Sequence, residues 1–163
     1  MKLRQFKVFL IISLLLSVFL VGCEKADDRV IDEIYIHQFA YDGGSKTTIY
    51  KLDLQNKEFL KHEVEMFTSF TGPLQEVDYI LVRELKDDGI EKFRADAQKN
   101  SFTKWEEHYE IDADDGSGWE MIVVFSNGDI MKSTGSNAYP KTWDNMKDAF
   151  KDLVGEDILY GSH

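Results

Sequence analysis

Acidic and imidazole groups crowd one stretch of the chain, where His108 lies between Glu106 and Glu110 and is followed by Asp112, Asp114 and Asp115. On a strand the i, i+2 spacing places Glu106, His108 and Glu110 on one face. There they can offer two or three ligands to zinc, or an imidazole steadied by a carboxylate for proton transfer. No second cluster completes a tetrahedron, so solvated surface charge is the simpler expectation. The three aspartates resemble a calcium loop, because close carboxylates suit a hard cation. The register fails: counting Asp112 as position 1 puts Gly116 at position 5 and Val123 where the bidentate Glu belongs. Asp112, Asp114 and Asp115 are therefore only weak metal candidates, and no cofactor is expected.

The other chemical motifs are thinner. No G-x-S-x-G is present, and Gly116-Ser117-Gly118 sits in an expected turn, away from any strand-to-helix elbow. Gly44-Ser45-Lys46-Thr47 has the look of a phosphate loop, but no glycine directly precedes the lysine and a strand is expected where the helix should follow. His62 falls on the apolar stripe of an expected strand between Leu60 and Val64, the setting of a buried neutral imidazole. His37 has no ionisable neighbour at useful spacing along the sequence. Paired carboxylates for glycoside hydrolysis need a separation that sequence does not give.

The most specific signal is the single cysteine. Lys2, Arg4 and Lys7 form a basic region, Val8 to Leu20 an apolar run interrupted by Ser13 and Ser17, and Leu20-Val21-Gly22-Cys23 closes it. This is the shape of a secretory signal, and its 15-residue stretch from Val8 to Gly22 falls short of the ~20 that cross a bilayer core. The closing tetrapeptide resembles the lipobox of bacterial prolipoproteins. That resemblance implies diacylglyceryl transfer to Cys23, cleavage after Gly22 with Leu20, Val21 and Gly22 read by the peptidase, and acylation of the new amino terminus. Two acyl chains, each CH₂ worth ~0.8 kcal/mol when buried, would hold the protein on the membrane's extracytoplasmic face.

The chain of 163 residues is 43% apolar and 30% charged, with two prolines and a formal charge of −11. Loss of residues 1–22, which carry three basic groups and no acid, makes that −14. So acidic a domain repels nucleic acid, whose binding depends on Lys and Arg meeting phosphates. It favours a basic partner, or one recruited through divalent cations. Cys23 once lipidated leaves no thiol for disulfides, so an apolar core must hold the fold, and roughly 135 residues suffice for one.

The elements that must position these groups follow from periodicity. Ile34 and Ile36 mark a first strand, ended by the turn Asp42-Gly43-Gly44. Tyr50, Leu52 and Leu54 alternate on a second, and after Gln55-Asn56-Lys57 the residues Leu60, Val64 and Met66 share one face of a third. Val77 to Leu85 is apolar on both faces and reads as a central strand. Asp87 or Asp88 can cap a helix bearing Ile90, Phe93 and Ala97 that ends near Asn100. Trp105, Tyr109 and Ile111 then share a strand face, and after a polar turn Trp119, Met121, Val123 and Phe125 share the next. Asn127-Gly128 suits a type I′ hairpin turn with positive φ at both residues. Thr142 can cap a helix with Trp143, Met146, Phe150 and Leu153 on one face and Gly155 as its stop.

The expected fold is α+β: an antiparallel sheet of about six to seven strands with two helices packed on one face. Residues 1–22 are expected as signal peptide, 23–29 as lipidated cysteine and short tether, 30–155 as one domain, and 156–163 as a frayed tail. Residues 105–153, with Gly118-Trp119, Asn127-Gly128 and Gly135 through Pro140, are similar to the C-terminal module of small uncharacterised lipoproteins and cytoplasmic proteins of Gram-positive bacteria. That likeness supports the hairpin and closing helix and lends no catalytic residue. The loop Gly135, Ser136, Asn137 and Tyr139 enters a helix, where free backbone N–H groups can hold an anion or a carboxylate. Met66 to Leu74, with Phe67 and Phe70, is an apolar-rich loop that can cover a sheet end or meet a partner. The expected role is a lipid-anchored binding domain for a protein or envelope component. Its alternatives are a small envelope hydrolase and an inhibitor or immunity-type lipoprotein.

Overall fold

The computed structural model describes residues 29–40, 46–65, 77–112 and 117–161. The tetrapeptide ending in Cys23, the turn at 42–44, the loop 66–74 and the carboxylates Asp114 and Asp115 lie outside them.

Period-two sequences form seven strands: β1 (Ile31–Ala40), β2 (Lys46–Asp53), β3 (Glu58–Glu65), β4 (Ile80–Glu84), β5 (His108–Glu110), β6 (Ser117–Phe125) and β7 (Ile130–Ser136). Among the described residues they are joined by two helices, α1 (Asp87–Lys99) and α2 (Trp143–Val154), and a short 3₁₀ turn at Phe102–Lys104. The strands make one sheet in the order β4-β3-β2-β1-β6-β7-β5. Every pairing is antiparallel except that of β5 with β7. The fold is therefore α+β, with both helices on one face.

That face carries the main core. Ile34 and Ile36 from β1, Leu52 from β2, Phe59 from β3 and Trp119, Met121, Val123 and Phe125 from β6 meet Ile90, Phe93 and Ala97 of α1 and Trp143, Met146, Phe150 and Leu153 of α2. All three tryptophans pack together, Trp119 lying 4.8 Å from Trp143 and 6.0 Å from Trp105 between ring centroids. Two of their N–H groups reach partners within the core: Trp119 Nε1 donates to Ala138 O at 2.9 Å and Trp105 Nε1 to Thr142 Oγ1 at 2.9 Å. A buried indole keeps its stability only if its donor is met.

Several local expectations are corrected. The apolar run 77–85 gives β4, which lies at the sheet edge with Ile80 62% and Leu81 50% exposed. A short apolar run signals a strand without saying how many neighbours it has. β5 is not the hairpin partner of β6, whose two sides are taken by β1 and β7. It joins β7 in parallel instead, and Ile111 is left 59% exposed. The β6–β7 turn has Gly128 at φ 86° while Asn127 keeps negative φ. Gly128 N donates to Phe125 O, and Phe125 N to Asp129 O, which makes a three-residue connection closed by a glycine bulge. Lys86, not Asp87 or Asp88, occupies the N-cap of α1, leaving both acids in the first turn, where the helix dipole favours them. Thr142 occupies the N-cap position of α2 but makes no side-chain capping bond, its hydroxyl instead accepting from Trp105 Nε1. Gly155 ends α2 in the left-handed conformation at φ 76°.

The segment after α2 does not fray within the described residues. Ile158 and Leu159 are buried in the main core. Gln38 of β1 clasps Tyr160 twice, donating from Nε2 to its carbonyl at 3.0 Å and accepting its N–H at 2.7 Å. Trp143 Nε1 donates to the same carbonyl at 3.0 Å.

Candidate functional site

Three places gather the polar groups. The first is the β5 edge. Parallel pairing sets His108 opposite Thr134 and Glu110 opposite Ser136. His108 Nδ1 lies 3.0 Å from Thr134 Oγ1, and His108 Nε2 lies 3.3 Å from Glu110 Oε2. An open groove of about 330 Å³ is lined by Glu107, His108, Lys132 and Thr134. A carboxylate, an imidazole and a hydroxyl thus stand in series, the order in which a base accepts a hydroxyl proton while an acid orients it. Two features weaken that chemistry. The His108 and Glu110 side chains are 59% and 66% exposed, so water screens their attraction. The Thr134 hydroxyl is also placed to donate to Glu107 O at 3.2 Å. Glu106 joins through its backbone instead, its carbonyl accepting from Ser133 Oγ at 2.6 Å. Among the described residues no group of three or more His, Cys, Asp or Glu side chains is arranged to hold a metal ion, and Asp112 is exposed.

The second place is the sheet face away from the helices. Tyr35, Ile49 and Ile122 form a small buried apolar patch there, joined by the half-buried Val64, Tyr79 and Val124. Beside it Lys51 Nζ bridges Glu33 at 2.8 Å and Asp53 at 3.2 Å. Tyr35 donates its hydroxyl to Glu33 Oε2 at 2.7 Å, and Asp53 accepts from Asn56 N at 2.8 Å and Asn56 Nδ2 at 3.1 Å. Burial pulls the Lys51 ammonium toward neutrality, but its bonds to Glu33 and Asp53 outweigh that and hold its pKa above the ordinary lysine value. Burial likewise pushes the Asp53 carboxyl up, and the donors of Asn56 and Lys51 more than reverse it. The Tyr35 hydroxyl is driven well above the usual range by burial and by its bond to Glu33, and burial pushes Tyr79 up to about 12.

None of these partners was expected from spacing along the chain. His37 illustrates why: its ring is fully buried and its Nδ1 lies 3.6 Å from Glu120, which β6 places directly across from it. Cross-strand register, not sequence distance, brings such groups together, and alternation alone does not state which strands are neighbours. His62 is half-buried on its strand, with Nδ1 3.1 Å from Asp78 O and its ring edge-on to Tyr79.

The third place is the loop leaving β7. Gly135 is required by a neighbour, since a Cβ there would stand 2.0 Å from Trp119 Nε1 and 2.5 Å from Ala138 O. Asn137 takes a left-handed conformation at φ 55°. Its N–H donates to Ser117 O at 3.0 Å while its Oδ1 accepts from Ser117 N at 3.0 Å. Ser136 O accepts from Ile111 N at 3.0 Å, and the Tyr139 hydroxyl lies 2.7 Å from Ser117 Oγ, with its ring tilted against Trp143. The four residues tie β6, β7 and α2 together, so these polar groups are already engaged within the domain.

Compared with protein-family models, curated proteins and solved structures, the chain matches none.

Proposed function

We propose that the chain is an exported lipoprotein, held at the extracytoplasmic face of a membrane through lipid on Cys23, whose single domain binds a protein or cell-envelope component. The observation that carries this reading is the position of the only cysteine, fourth in Leu20-Val21-Gly22-Cys23 behind a basic and then an apolar segment. The fold is consistent with life without disulfides, because its stability rests on a continuous aromatic and aliphatic core. Among the described residues no helix is long and apolar enough to cross a membrane. Binding is favoured over catalysis because the best-aligned acid–base series lies in an open, water-screened groove. The acidic surface selects a basic partner and speeds its approach at low salt.

Labelling of growing bacteria with a radioactive fatty acid tests the anchor. The native chain is expected to take up label and sediment with membranes, and Cys23→Ser to do neither. A Cys23→Ser chain processed and membrane-bound like the native one would sink the proposal. Crosslinking on intact cells then tests the binding role, and a basic partner lost on raising salt is the expected result.

A second reading, a small envelope hydrolase, is favoured by the Glu110, His108 and Thr134 series. It requires turnover of wall polymers or esters that His108→Asn abolishes while the melting temperature stays unchanged.

A further inference from the structure

We infer that the domain meets the phospholipid headgroups with one particular end, the one where β1 begins, and that the opposite end points away from the membrane. This rests on the lipid anchor proposed above. The start of the folded chain is fixed firmly in place. Val30 O accepts from Ser126 N at 2.9 Å, Arg29 lies over the Phe125 ring at 4.1 Å, and Leu54 N donates to Asp32 O at 2.8 Å. The β2–β3 turn at Gln55-Asn56-Lys57 and the β6–β7 turn at Ser126 to Asp129 therefore share this end. Only Glu24 to Arg29 separate it from Cys23, a reach of about 20 Å even if fully stretched. β1 itself, ten residues long, spans about 33 Å.

Register places the last residues of β1, β3, β5 and β7, and the first residues of β2 and β6, at the opposite end, where the chain also enters α2. The anchored end cannot leave the bilayer, and the far end stands clear of it when the strands are upright. The tether selects the pose, because it ends at one extremity of the strands and holds that end nearest the bilayer whatever the charge. Acids and bases are mixed there, Lys57 pairing with Asp87 beside Glu84 and Asp129, and Val30 and Ile130 are exposed among them.

The test uses full-length chains lipidated at Cys23, purified from membranes and reconstituted into phosphatidylglycerol–phosphatidylcholine vesicles with a nitroxide-headgroup lipid. A thiol-reactive fluorophore is placed through Asn127→Cys, Gln55→Cys or Lys141→Cys, all at exposed positions. Quenching is expected to be several-fold stronger at positions 127 and 55 than at 141. Equal or reversed quenching, in chains whose Cys23 carries fatty acid, overturns the orientation and leaves the anchor standing. Chains without fatty acid on Cys23 overturn the anchor and the orientation with it.

Discussion

The two faces of the sheet use the same strands and solve burial differently. Toward the helices, side chains are apolar and interlocked, and the polar atoms of Trp105, Trp119 and Trp143 are each met by an acceptor. Away from them, a small apolar patch of Tyr35, Ile49 and Ile122 adjoins charges that satisfy one another, with Lys51 between Glu33 and Asp53. The first face derives its stability from area removed from water and close packing. The second depends on partners remaining paired, because a buried charge left alone is costly. One face should therefore be sensitive to volume and the other to protonation.

The sharpest contrast comes from Trp119→Ala, which should cost about 3–5 kcal/mol by emptying the centre of the tryptophan cluster. Urea denaturation measures it, and a loss near that of an exposed residue would break the comparison. Lys51→Met should cost about 1.5–3 kcal/mol, the range for hydrogen bonds to charged groups, because Glu33 and Asp53 lose their shared cation. Tyr35→Phe removes only the hydroxyl given to Glu33 and should cost about 0.5–1.5 kcal/mol. Equal effects from these two variants would show that the hydroxyl, not the ammonium, holds Glu33.

A pH titration of stability sharpens the contrast further. The folded pKa of Asp53 is depressed, so its contribution is present above the ordinary carboxylate value near ~4 and is lost as pH falls through the folded value. The folded pKa of Lys51 is raised, so its contribution is intact below about 10.5 and is lost as pH rises through the folded value. Tyr35 and Tyr79 act in the same alkaline direction, since both resist ionisation when folded. Asp53→Asn should flatten the acid limb and weaken the alkaline one, since Lys51 loses one of its two carboxylates, while Trp119→Ala lowers the whole curve without changing its shape. The smallest effect belongs to Lys92, whose contacts with Asp96 and Asp152 are exposed. Lys92→Ala should leave the melting temperature unchanged within error.

The helix-facing core was readable because both of its periods are strong: Ile90, Phe93 and Ala97 recur every three or four residues, and Trp119 to Phe125 every second one. Edges and neighbours were not. Nothing in Val77 to Leu85 declares how many strands flank it, and nothing in Tyr109 or Glu110 announces a parallel partner 26 residues further on. The polar sites suffered most, since Lys51, Glu33 and Glu120 acquire their roles only through register. For the same reason His108 could be paired with Glu110 along its own strand, but not with Thr134. The segment after Gly155 looked loose because Ile158 and Leu159 have no period, whereas they are buried in the core and the next residue, Tyr160, is held by Gln38 and Trp143, which lie elsewhere in the chain.

That clasp has a temporal consequence. Gln38 and Tyr160 are separated by 122 positions, so although β1 can pair early with β2, the clasp at its far end closes only once nearly the whole domain has been made. A chain cut short before Tyr160 lacks this fastening, and its sheet end is left easier for proteases to open.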